Sequence, residues 1–350
     1  MIRSLACSTA ALALAVGCTQ TTVPQRVEFY RLFSTYPSAW VKKPIVDPRG
    51  VVWFVVNAPN STNDTIGRMS PDGAVSIEPL RFDFKEVING LARSPDGSIW
   101  FTVASIDGSK ENRVERLSPS GAIKIFPLPR WPGGIAAAPD GSIWFTQVPD
   151  RIARITSAGK FMAYEMPRAW SVAGRARGRI APTGIALGPD GNMWATLSSI
   201  NAIVRIESSG RMTKFDLPRL KSGPGAIAAG PDGNLWFTEG IANRIGRITP
   251  GGKITEFASP KLVDTPHDIA GGRENDLWFC EIGFVGRITA AGVISVHGGP
   301  GGTCGGIATD AAGNVWLTQT LGQPYSFSGP ELGAIATFMP SDWISQVERH

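Results

Sequence analysis

Histidine is scarce in this chain: His267, His297 and His350 are the three in 350 residues, and no two stand at a metal-ligand spacing. No Gly-x-Ser-x-Gly stretch is present, which removes the nucleophile elbow of the α/β-hydrolases. The glycine-rich run His297–Thr303 is not closed by a Lys-Ser or Lys-Thr pair, so it reads as a loop and not as a phosphate cradle. Charged residues make up only 18%. The net charge of +5 is spread along the chain without a cluster, which excludes a basic stripe for nucleic acid. Apolar runs are equally short: Leu5–Val16 is the longest, and no later stretch could span a bilayer.

What the chain has in abundance is glycine (41), proline (27) and a recurring tryptophan. The stretch Gly223–Phe257 holds four β-prone runs of about five residues, separated by Pro231-Asp232-Gly233-Asn234 and Pro250-Gly251-Gly252. Asp-Gly and Gly-Gly supply the positive φ angles that tight hairpins need. The Trp of the second run recurs as Trp53, Trp100, Trp144, Trp194, Trp236, Trp278 and Trp316, at spacings of 47, 44, 50, 42, 42 and 38. Four strands per repeat and a period near 40 predict an all-β fold, a seven-bladed β-propeller of four-stranded antiparallel blades. Arg26–Leu32 reads as a fourth strand with no partners before it, and the last repeat lacks its own fourth strand. The N-terminal strand is therefore expected to close the ring, which removes the open edges.

The domain organisation follows. Residues 1–17 read as a signal peptide, with Arg3, the apolar run and small residues at its end. Cys18 after Gly17 resembles a bacterial lipobox, so a lipid-anchored tether over 18–25 is expected, with plain secretion as the alternative. The propeller covers 26–340 and a tail 341–350. The expected location is the cell envelope, outer membrane or periplasm, with the membrane reached through the lipid anchor alone. Cys280 and Cys304 then remain in an oxidising compartment, where a disulfide is expected, with free thiols as the alternative.

With strands lettered A to D from the axis outward, the A–B and C–D turns are short and nearly constant. The B–C and D–A connections hold the length variation, and antiparallel order puts them on the opposite face. They include Ala104–Arg113, Gln319–Leu332 and Pro167–Thr183 with Arg168, Arg175, Arg177 and Arg179. Variable loops on a rigid scaffold are where binding concentrates. Two positions before the Ile of strand A, the blades offer Gly133, Thr183, Gly225, His267 and Gly305, of which His267 alone is ionisable. His267 is the candidate general base or acid, or a plain structural or binding residue. Glu239 and Glu281, at the ends of B strands, are candidate metal ligands, with Glu281 also the candidate partner of His267. Their alternative role is hydrogen bonding to neighbouring loops.

The motifs GPDGNLWFTE, NRIGRIT and GKITEF, repeated in register over 27–338, resemble those of the virginiamycin B lyase (streptogramin lyase) family. The resemblance implies a seven-bladed propeller that opens cyclic streptogramin B antibiotics by elimination at an ester linkage. It also implies a His base, a Mg²⁺ ion and acidic ligands in the central mouth. Pro266-His267 matches the family's Pro-His of the sixth repeat. The seventh should carry Glu-Pro-His-Gly and a further Glu after its Trp; here stand Thr303-Cys304-Gly305-Gly306 and Gln319. The expectation is a monomeric envelope propeller binding a small molecule or peptide at its mouth. The alternatives are a carbon–oxygen lyase and an interaction scaffold using the Arg168–Arg179 loop.

Overall fold

The computed structural model describes residues 28–31, 40–57, 64–78, 80, 85–170, 180–258, 265–273, 275–298, 303–321 and 332–338. The expected signal peptide, Cys18, the tether, the C-terminal tail, His350 and Arg175, Arg177 and Arg179 lie outside these residues. The described strands form seven four-stranded sheets in a β-propeller arrangement. In six of them the strands pair in chain order; the blade Pro224–Ala229, Leu235–Glu239, Arg244–Ile248, Ile254–Phe257 is typical. The seventh takes Thr303–Thr309, Val315–Leu321 and Leu332–Phe338 from the end of the chain and Glu28–Arg31 from its beginning. Glu28 pairs with Thr337 and Arg31 with Ala334, antiparallel. Blades are numbered below by their inner strands, Trp40–Val46, Glu86–Arg93, Pro132–Ala137, Pro182–Leu187, Pro224–Ala229, Asp268–Gly271 and Thr303–Thr309. Each inner strand lies beside the next, and the seventh lies beside the first.

The repeat motif explains itself in local contacts. Asp232 turns its Oδ1 to the Asn234 N–H at 3.2 Å and accepts the Trp236 indole N–H at 3.1 Å, while Asn234 Nδ2 donates to Oδ2 at 2.7 Å. Gly233, at φ 74°, supplies the turn. Asp190 and Asp310 hold Trp194 and Trp316 in the same way, each at 3.0 Å. The Trp is then sandwiched: Phe257 stacks at 5.3 Å between centroids, and the Arg247 guanidinium sits 5.3 Å from the ring. Arg116, Arg154 and Arg205 repeat this over Trp100, Trp144 and Trp194. The regularly spaced arginines are thus spent on cation–π contacts inside the blades.

Hydrophobic cores lie between neighbouring blades. Trp194 and Ile203 of blade four pack with Leu235, Phe237 and Ile248 of blade five, all buried. The glycine of NRIGRIT has a packing reason: a Cβ on Gly246 would sit 2.2 Å from the Phe237 ring. Burying rings this size contributes about 1.5–3 kcal/mol each, so the sheets hold together through face-to-face packing that no blade could supply alone.

Candidate functional site: the central mouth

The inner strands of blades one to six line a cavity of about 160 Å³ at the axis. Its lining includes Lys43, Pro44, Asn89, Gly134, Ala226 and Asp268. Six inner strands carry an irregularity in register near the mouth, including Lys42/Ile45, Ile88/Gly90, Pro132/Ile135 and Cys304/Gly306. These bulges re-aim the residues that precede the conserved-spacing Ile towards the axis. Between blades, B-strand threonines tie neighbours together at this level: Thr102 donates to the Gly133 carbonyl at 2.8 Å and Thr196 to that of Gly225 at 2.6 Å.

Blade six breaks this pattern. Cys280 occupies the threonine position and forms a disulfide with Cys304 of blade seven, Cα to Cα 6.1 Å. Both cysteines are buried. The expected pairing is present, and it replaces an inter-blade hydrogen bond by a covalent link. His267 is exposed beside it, and its backbone N–H donates to the Cys280 carbonyl at 2.9 Å. Glu281 is fully buried in the neighbouring strand. The expected pairing of Glu281 with His267 sets a buried carboxylate against an exposed imidazole.

Glu239 is fully buried in blade five, and neither carboxylate oxygen accepts a hydrogen bond of ordinary geometry. Burial, reinforced by the nearby Glu256 carboxylate, pushes its carboxyl up to about 7. Ser222, Arg244 and Arg219 oppose that shift without cancelling it. Among the described residues, no group of three or more His, Cys, Asp or Glu side chains is arranged to hold a metal. Mg²⁺ needs several hard oxygen ligands in a near-octahedral set, and the residues present do not fit it. In blade seven the misfit is steric. A Cβ on Gly305 would stand 1.9 Å from the Val41 carbonyl oxygen of blade one, so no side chain can occupy that position on this backbone. Cys304 is paired across the sheet with Gln319.

Lys43 corrects the expectation that His267 is the only ionisable group at its level in the ring. Blade one places Lys43, and blade two Asn89, two positions before Ile45 and Leu91. The Pro44-Ile45 register could have revealed this, but the first two repeats lack the Pro-x-x-Ile spacing of the later ones. Asp268, next to His267, lines the cavity itself. On the same face, exposed Leu220 and Ile241 form an apolar rim on blade five, where Gly240 and Ala242 bond back to Gly223 and Ser222.

The sequence profile of the virginiamycin B lyase family matches residues 45–324. A streptogramin B lyase structure superposes with a TM-score of 0.75 at 28% identity, covering 89% of this chain and 98% of that one. A catalytically inactive virginiamycin B lyase from Staphylococcus aureus, solved with quinupristin, gives a TM-score of 0.73 at 32% identity with the same coverage. A virginiamycin B lyase of Bordetella parapertussis is 47% identical over 49 residues, a match spanning 14% of this chain and 15% of that protein.

Proposed function

Because the chain belongs to the virginiamycin B lyase family, we propose that it is a binding propeller of that type, which takes a small molecule or peptide at the central mouth without the family's elimination chemistry. The observation that carries this is Gly305. The resemblance asks for a histidine there, and a Cβ would meet backbone at 1.9 Å. The neighbouring Cys304 is committed to a disulfide. Elimination needs a base and an electrophile that stabilises the developing enolate; His267 supplies at most the first. A cavity at the axis and the apolar Leu220–Ile241 rim support binding. We further propose export and lipid anchoring through Cys18, in keeping with the disulfide. Loss of a lipid-sized mass in Cys18→Ser protein from membranes is the expected result.

The second reading is an active streptogramin B lyase, favoured by 32% identity to a solved lyase almost throughout its length. Purified protein incubated with quinupristin and Mg²⁺, followed by reversed-phase chromatography and mass spectrometry, separates the two. The expected outcome is intact quinupristin, with binding seen by calorimetry. A linearised isomer of unchanged mass that disappears in His267→Ala would establish the lyase instead.

A further inference from the structure

We infer that the part of the central cavity lined by Lys43 and Asp268 is a subsite for a small zwitterion the size of a free α-amino acid, its carboxylate on Lys43 and its ammonium on Asp268. This rests on the reading that the mouth binds a ligand, and names the chemistry it takes.

Among the described residues these two are the only charged groups lining the cavity; Asn89 apart, the rest of that lining is apolar or glycine. Asn89 is itself committed, donating from Nδ2 to the Pro132 carbonyl at 2.8 Å. Lys43 is exposed, and its side chain enters no hydrogen bond or ion pair with a described residue. Its neighbour Lys42 is different, paired with Asp64 at 2.9 Å. Lys43 also holds φ at 55°, a left-handed conformation that a long side chain adopts at a cost, in the bulge before Pro44. Such strain persists where the surroundings impose it, and it clusters at ligand sites.

Asp268 is held in place without being used up. Its Oδ1 accepts the Ile269 N–H at 3.0 Å and its Oδ2 the Ile307 N–H at 3.2 Å. An ionised carboxylate has about four acceptor directions, so two remain. Gly306 joins the two groups: a Cβ there would be 3.0 Å from Asp268 Oδ2 and 3.1 Å from the Lys43 backbone nitrogen. Gly306 thus brings the Lys43 backbone close to the Asp268 carboxylate, and the two side chains line one cavity without an ion pair between them. A simple anion would satisfy Lys43 and be repelled by Asp268, and a simple cation the reverse. A molecule carrying both charges a few ångströms apart satisfies both through charge-assisted hydrogen bonds. The cavity of about 160 Å³ is of a size for an amino acid.

The test is isothermal calorimetry of the full protein with each of the twenty common α-amino acids, and with acetate and methylammonium as single-charge controls. Saturable binding of at least one amino acid is expected, at least tenfold weaker for either control. Lys43→Gln, at an exposed position, should leave the circular dichroism and melting temperature unchanged and weaken binding at least tenfold; Asp268→Asn should weaken it similarly. If Asp268→Asn fails to fold, Lys43→Gln decides. Absence of amino-acid binding, or binding that Lys43→Gln leaves unchanged, overturns the inference. Quinupristin binding that persists in that event preserves the broader reading, whereas loss of both removes the two together.

Discussion

Glu239 carries a carboxyl into a fully buried position, and the cost should appear as a pH dependence. Its proton is held up to about pH 7, against an ordinary value of 4.5. Below 4.5 folded and unfolded states are both protonated there and the group is neutral in its effect. Between 4.5 and 7 the folded state keeps a proton that the unfolded state has released, so stability falls as pH rises, and the penalty is complete above 7. It amounts to at most about 3 kcal/mol. Glu239→Gln should therefore match the natural protein at pH 4.5 and exceed it at pH 8 by about 1–2 kcal/mol in urea melts. Equal stability of the two at pH 8 would contradict this. Gly305 is the opposite kind of residue, fixed by steric contact. Gly305→Ala should cost at least about 2 kcal/mol, since the atom it meets is backbone and cannot rotate away. Gly305→His should fail to restore any lyase site for the same reason.

At the scale of elements, the link between blades six and seven stands out from the others. From blades two, three and four a threonine hydroxyl reaches the next inner strand; here Cys280 and Cys304 close a covalent loop of 24 residues. A loop of that length stabilises by about 3 kcal/mol in the chain-entropy picture. The double variant Cys280→Thr with Cys304→Pro restores the pattern of the other blades. It is expected to lose most of that stabilisation in denaturant melts and to become insensitive to reductant. Retention of a reductant-dependent melting temperature would show that the link acts elsewhere. The Asp-Gly turns and the Trp–Arg–aromatic stacks, by contrast, repeat with little change, so the blades are interchangeable supports and blade seven with its neighbours carries the individuality.

For the whole molecule, the decisive contact is the pairing of Glu28–Arg31 with Leu332–Phe338. It joins the two ends of the sequence within one sheet. Removing residues 26–33 would leave Leu332–Phe338 as an open edge. The deletion is expected to lower the melting temperature by more than 5 °C and to promote association on size-exclusion chromatography. A monomer with unchanged melting would show that closure adds nothing.

The sequence alone determined the blade. Local turn chemistry, a period of about 40 and the Trp–Arg register are short-range facts, and each is written within one repeat. It also placed the disulfide, since Cys280 and Cys304 are the two cysteines that follow Cys18. Tertiary structure alone decided the mouth. Lys43 of blade one and Asp268 of blade six line one cavity only because blade seven closes the ring between them, a separation of more than two hundred residues that no local pattern encodes. The exclusion of any side chain at Gly305 likewise comes from the Val41 carbonyl across the closing seam. His267 and Glu281, near each other in sequence, differ in burial, one exposed and the other enclosed, and only the packing of the blades sets that difference.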